Sequence, residues 1–186
     1  MDDLRWALTW EIDLTDTERA ALARMLGRTY PAYADLFTGR RCWSWARPEI
    51  RMIGWSGDRP IAHLGVLRRF LHVPDARSIL LVGDTGLVAV DPDFQGRGIG
   101  RDLLHRTTRT MTTLDLPFGF LICRPSVVPF YESGGWKLID GQVTRMIADT
   151  TEETEVYRGP AMVLPVRSPL SDWPHGHVVD RNGRGV

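Results

Sequence analysis

Residues Val82 to Leu104 read VGDTGLVAVDPDFQGRGIGRDLL, and the changes of period inside that stretch decide the fold. The apolar run up to Val90 reads as a strand, and Gln95 to Gly100 as a glycine-spaced turn. Ile99, Leu103, Leu104, Met111 and Leu114 then fall at the spacing of an amphipathic helix. Glycines at Gly96, Gly98 and Gly100 remove the Cβ atoms that would keep a ligand off the main chain. The helix start adds unpaired N–H groups and partial positive charge, so strand, turn and helix together make a cradle for phosphate. Arg97 and Arg101 are placed to add charge-assisted contacts. A dinucleotide fingerprint would set its last glycine three residues after the second, whereas here the spacing is two, and no Gly-Lys-Ser/Thr follows as a P-loop needs. The plain alternative is a glycine-rich surface turn. The flanking strand and helix favour the cradle.

Composition narrows the partner. The chain has 186 residues, 43% of them hydrophobic, which is enough for one well-filled core and short for two. Lys plus Arg and Asp plus Glu balance at 23 each, so no global field draws in nucleic acid or an acidic membrane. The expected partner is a small molecule, and a homodimer is compatible with the sequence. Cys42 and Cys123 lack metal-ligand spacing, and neither a signal peptide nor an apolar run of about 20 residues is visible. A cytoplasmic protein with free thiols, no membrane span and no metal is expected. Cys123 closes the apolar run PFGFLIC, where a small buried hydrophobe is expected before a nucleophile.

Outward from the glycine turn, alternation from Leu4 to Ile12 predicts a strand that buries Leu4, Trp6, Leu8, Trp10 and Ile12. Thr15 to Glu18 spell a capping box, and apolar spacing then predicts a helix from Asp16 to Thr29. Tyr30 to Pro48 loses its period and reads as an aromatic, arginine-rich loop suited to lining an acceptor pocket. Strands are expected over Glu49–Trp55, Ile61–Val73 and Ile79–Val90. Further along, Pro117–Cys123, Trp136–Ile147 and Ala161–Val166 read as strands, Ser126–Gly134 as a brief helix and Asp149–Glu155 as an acidic turn. One domain over residues 1–166 is expected, with 167–186 a polar, proline- and glycine-rich tail on or near the acceptor site.

Gln95 to Gly100 fit the pattern Q-x-x-G-x-G/A, which resembles the pyrophosphate-binding signature of the GCN5-related N-acyltransferases. Val128 to Trp136, VPFYESGGW, resembles that superfamily's second signature. The resemblance implies an α/β fold of the α+β kind: a mixed, mostly antiparallel central sheet of about seven strands, flanked by helices. It implies acetyl-CoA or another acyl-CoA as donor, held by Gln95, Gly96, Arg97, Gly98, Ile99, Gly100 and Arg101. Main-chain N–H groups around Val88, Ala89 and Val90 would stabilise the oxyanion. Nearly the whole chain is also similar to the nodulation protein A family, N-acyltransferases that place a fatty acyl group on the free amine of a chitooligosaccharide. RWALTWE, RTY at Arg28 to Tyr30, SWARPEIRMIG, AHLGVLRRF and DWPHGHVVDRNG carry that similarity. A weaker one, to the aminoglycoside 2'-N-acetyltransferases, runs through the strand-turn-helix, VPFYESGGW and the tail, but lacks their strand glutamate, replaced here by Gly86, and their tail aspartate, replaced by His177.

By the same resemblance Tyr131 protonates the departing thiolate. Tyrosine titrates near 10, so at neutral pH it holds a proton to give; the plain alternative is a core aromatic. An alkylammonium acceptor is only about a thousandth deprotonated at pH 7, so a base is wanted. Asp84 and Glu132 are the nearest acids, and Asp84 within GDTG can equally shape a bulge. Acceptor contacts are expected from Asp35, Trp45, Glu153, Asp172, Trp173 and Asp180: the acids for ammonium groups, and the tryptophans, with Trp43, for sugar rings. Packing under loops and a solvated acidic turn are the ordinary alternatives. His63, His72 and His105 read as structural. The leading expectation is direct acyl transfer from acyl-CoA, acetyl or longer, to a primary amine of an amino sugar or aminoglycoside-like acceptor. The alternatives are fatty acyl transfer from acyl carrier protein to a chitooligosaccharide amine, a non-catalytic CoA-binding sensor, and a peptide N-acetyltransferase.

Overall fold

The computed structural model describes residues 4–186. Its contacts group them into two compact units: residues up to Leu67 with Thr85–Thr107 and Val186, and Arg68–Asp84 with Thr108–Gly185.

In the first unit β1 (Leu4–Trp10) runs antiparallel to β2 (Ile50–Ser56), and β2 to the first part of β3 (Arg59–Val73). The second half of β4 (Ser78–Val90) lies beside β3. Helix α1 (Asp16–Thr29) starts where the capping box predicts: Thr15 accepts from the Glu18 amide, and the Glu18 carboxylate takes the Thr15 amide. Leu22, Met25 and Leu26 of α1 pack with Ile53, Trp55, Leu87 and Ala89 into one core.

The strand β1 departs from expectation. Leu8, Trp10 and Ile12 are exposed, and the residue of β1 packed on the core is Ala7. Trp6 instead covers Gly54 on the opposite face, under the Arg106 guanidinium 5.0 Å from its ring. As an edge strand, β1 is only half covered, so alternation alone does not name its buried face. Glu11–Asp13 form a 3-10 turn, which ends the strand earlier than expected.

The second unit has the strand order β6-β9-β5-β4-β3-β10-β7-β8. Here β5 is Phe118–Ile122, β6 Lys137–Leu138, β7 Val143–Ile147, β8 Thr154–Tyr157, β9 Ala161–Pro165 and β10 Val178–Asp180. The β4–β5 and β10–β7 pairs run parallel, and β3–β10, β5–β9, β6–β9 and β7–β8 run antiparallel. Among the described residues ten strands form the sheet, in place of the expected seven or so. The turn at Gly141 splits the expected Trp136–Ile147 strand, and part of the acidic turn straightens into β8. The segment read as a tail supplies β10, between β3 and β7. Periodicity is too short to see in three- and four-residue strands.

Helix α2 (Ile99–Thr113) follows β4 through the glycine turn, and the short α3 (Val128–Glu132) follows β5. Gly119 on β5 is closely packed on three sides: an added Cβ would lie 2.9 Å from Trp136, 3.0 Å from the Met111 sulfur and 3.1 Å from Leu164. Overpacking of this kind costs about 1–3 kcal/mol. Gly119→Ala is therefore expected to lower the urea midpoint with the slope unchanged, and an unaltered midpoint would show that Trp136 and Met111 yield freely.

Candidate active site

The β4–β5 ladder covers Val82–Asp84. Further along β4, side chains take up main-chain carbonyls. Leu87 has φ +52°, a conformation that costs an L residue about 1–2 kcal/mol and persists only where its surroundings impose it. Its carbonyl accepts from His63 Nδ1 at 2.8 Å, the next one, Val88, accepts from the Tyr30 hydroxyl at 2.6 Å, and Val90 accepts from the Gln95 side chain at 3.0 Å.

His63 is wholly buried, and its other ring nitrogen lies 2.9 Å from Arg51 Nη1. A guanidinium can only donate, so Nε2 accepts and the proton sits on Nδ1, where the Leu87 carbonyl needs it. Burial, then the Arg51 charge, push the imidazole down to about 3, so it stays neutral. Arg51 is itself fully buried and donates also to Cys42 O at 2.8 Å. Glu11 balances it, held by Arg51, Arg19 and Arg47. Burial works to raise the Glu11 carboxyl, but hydrogen bonds to these arginines and the Arg51 charge outweigh it and hold the group below its usual value.

Past Val90 the chain is braced before it reaches the glycines. Asp91 is buried, its carboxylate accepts from Arg59 at 2.9 Å, and its main-chain N–H reaches Ile61 O. Asp93 joins Arg59 and Arg28. Hydrogen bonds from Arg59, then Arg28, hold the Asp93 carboxyl below its ordinary range. The guanidiniums of Arg59 and Arg97 lie over the Phe94 ring, at 5.2 and 5.3 Å. Gly96 and Gly98 take φ +74° and +81°, and space beside both is open. The Asp102 amide donates to Gly98 O at 3.2 Å; those from Gly96 to Arg101 have no main-chain acceptor among the described residues. Gln95, Arg97 and Arg101 are exposed, whereas Ile99 is buried beneath the turn.

In the second unit Asp84 is completely buried. Arg181 holds both of its oxygens, at 2.7 and 2.9 Å, and Arg69 Nε lies 3.1 Å from Oδ2. A carboxylate so enclosed is an anchor rather than a base open to an incoming amine. Arg69 also donates to the carbonyls of Arg181 and Arg184, tying the last residues to β3. Tyr131 is buried on α3, edge-on to Phe130 and Trp136, and Glu132 beside it is exposed.

The expected acceptor residues are divided between the two units. Trp173 stacks on Phe120, meets Phe118 edge-on and donates its indole N–H to Gln142 at 2.9 Å, so its ring faces are core. Its edge lines a cavity of about 610 Å³ with Leu138, Leu170 and His175. Asp180 is paired with Arg145, Asp172 sits in a 3-10 turn, and Glu153 is exposed in the turn before β8. In the first unit Asp35 is exposed and Trp45 half-buried, while Trp43 lies under the Arg47 guanidinium at 4.4 Å. At Gly86 the Val186 main chain occupies the space a Cβ would take, its oxygen 2.2 Å away, so the glutamate of the aminoglycoside enzymes has no room there. Cys123 is buried with its thiol pushed up by burial to about 11 and is no nucleophile at neutral pH.

The family model for nodulation protein A matches residues 1–186. The chain belongs to the nodulation protein A family. Nodulation protein A of Rhizobium tropici is 36% identical over 195 residues, spanning 97% of this chain and 96% of that protein. The Mesorhizobium plurifarium protein is likewise 36% identical, over 193 residues, with the same coverage. Among solved structures, the Escherichia coli GNAT family N-acetyltransferase YhbS in complex with CoA superposes with a TM-score of 0.65 at 16% identity, covering 98% of this chain and 92% of its own. Escherichia coli ElaA superposes at 0.59 with 18% identity, covering 86% and 99%. At these identities the structures establish the fold: this nodulation protein A relative has the mixed-sheet fold of the GCN5-related acetyltransferases. It is an N-acyltransferase, and its chemistry is acyl transfer to an amine.

Sequence reasoning passed over Glu11, Arg51 and Tyr30 and set His63 aside as structural. One signal was available: Arg51 interrupts the apolar strand IRMIGW, and a buried arginine demands a carboxylate and acceptors. The relay also leaves a pH signature. The folded-state value of His63 lies below its ordinary 6.5, so the unfolded chain binds a proton that the folded one refuses, and stability present above pH 6.5 is lost as pH falls. Between pH 6.5 and the ordinary glutamate value of 4.5, His63 is expected to contribute a loss of about 1.4 kcal/mol per pH unit. Urea titrations across that window should show this slope and lose it in His63→Gln; equal slopes in the two proteins would rule out a buried neutral imidazole.

Proposed function

We propose that the protein moves an acyl group from a phosphopantetheine thioester to the free amine of a chitooligosaccharide-type amino sugar. Membership of the nodulation protein A family along the entire chain carries this reading and shifts it from the aminoglycoside-like acceptor towards an oligosaccharide. The amine nitrogen attacks the thioester carbonyl, the C–N bond forms as the C–S bond breaks, and the amine's surplus proton leaves to solvent or a base. Tyr131 protonates the departing thiolate, and amides of Val88 to Val90 face the developing oxyanion. Gln95 to Arg101 hold the donor's phosphates through main-chain amides, a role supported by their lack of main-chain acceptors.

A second reading, acetyl or longer acyl transfer from CoA itself to an amino sugar or aminoglycoside, is favoured by that same turn, since a run of amides suits a diphosphate. The same panel separates the two: acetyl and long-chain thioesters of CoA and of acyl carrier protein, each with a chitooligosaccharide bearing one free amine, its fully N-acetylated form, and an aminoglycoside. Thiol release with a matching mass increase on the free-amine oligosaccharide is expected. Release that is indifferent to a free amine, or seen only with the aminoglycoside, would overturn the proposal.

The turn is tested separately by Gly98→Ala. Alanine at φ +81° is strained by about 1–2 kcal/mol, which the chain relieves by rotating the amides away from the ligand. Calorimetry with CoA should then show binding weakened roughly tenfold, the equivalent of that strain. Unchanged affinity would mean that the phosphates lie elsewhere.

A further inference from the structure

The enclosure of the Leu87 and Val88 carbonyls reaches beyond the roles given above. A trans peptide is planar, with its C=O and N–H pointing in opposite directions. Whatever holds the Leu87 carbonyl therefore aims the Val88 N–H, and whatever holds the Val88 carbonyl aims the Ala89 N–H. The first is held by His63 at 2.8 Å and the second by Tyr30 at 2.6 Å. His63 cannot turn its ring over: Arg51 donates to Nε2, and Arg51 is fixed by Cys42 O and by Glu11. Leu87 at φ +52° has no intrinsic reason to keep this conformation. The Tyr30 hydroxyl comes from the end of α1, so two separate elements converge on adjacent peptide planes.

We propose that His63 and Tyr30 are positioning residues for acyl transfer, clamping consecutive carbonyls of β4 on either side of Val88 so that the main chain is held there with the Val88 N–H aimed in advance at the oxyanion. This rests on the acyltransferase reading. Donors aimed before the reaction need no reorganisation when charge develops, so the clamp acts on the transition state rather than on donor binding. Gln at position 63 can donate to Leu87 and accept from Arg51, as the imidazole does; Leu can do neither.

The test compares Tyr30→Phe, His63→Leu and His63→Gln. Tyr30→Phe and His63→Leu should each lower kcat about tenfold, as expected for the loss of one ordering hydrogen bond, with CoA affinity by calorimetry within about twofold of the parent protein. His63→Gln should recover most of the loss. Folded variants with unchanged kcat, or losses that appear in CoA affinity instead, would overturn the proposal. Should His63→Leu not fold, Tyr30→Phe and His63→Gln decide by the same criteria. If the parent protein releases no thiol from any donor, the acyltransferase reading fails on its own. The clamp is then decided by amide hydrogen exchange in Tyr30→Phe: about tenfold faster at Val88 to Val90 with α1 unaltered supports it, and unaltered exchange at Val88 to Val90 refutes it.

Discussion

A buried carbonyl must be paired, and the later half of β4 meets that demand with side chains. His63 takes Leu87, Tyr30 takes Val88 and Gln95 takes Val90. Each of these contacts draws in a further piece of the chain. Holding His63 in one tautomer needs Arg51, burying Arg51 needs Glu11, and Glu11 sits in the turn that ends β1. Tyr30 closes α1 against the same strand. The local path of β4 is thus set by residues that stand far from it in sequence.

The glycine turn inherits its position from that strand. Asp91, held by Arg59, and Asp93, held by Arg28 and Arg59, brace the chain just ahead of Gly96. The amides from Gly96 to Arg101 stay open while the residues on either side are tied down. This is the arrangement an anion needs: donors already oriented, so that little ordering remains to be done on binding.

In the second unit the central contact is Asp84 with Arg181 and Arg69. Removing one partner of so buried a pair typically costs about 3–5 kcal/mol, because it strands a charge without water. The pair fastens a polar segment that has little apolar surface of its own. Arg69 reaches the Arg181 and Arg184 carbonyls, the Arg181 amide reaches Arg145 O, and β10 settles between β3 and β7. Charge and main-chain pairing do there what hydrophobic burial does for β5 and β9.

Strong local signals were legible: the capping box of α1, the β3–β4 meander, the strand-turn-helix at Val82 to Leu104 and the α3 segment all stand close to where the sequence puts them. They are readable because periodicity, capping and glycine placement are properties of neighbouring residues. The family signature at Gln95 to Gly100 belongs to this class as well. What the sequence by itself left open was every feature that depends on a distant partner: the buried face of β1, the strand hidden in the polar C-terminal segment, Asp84 as an anchor, Trp173 turned into the core, and the Glu11–Arg51–His63 relay. Desolvation decides these. A charged or aromatic side chain reads alike in water and in the interior, and only the folded chain shows which of them has been taken out of water and what replaced it.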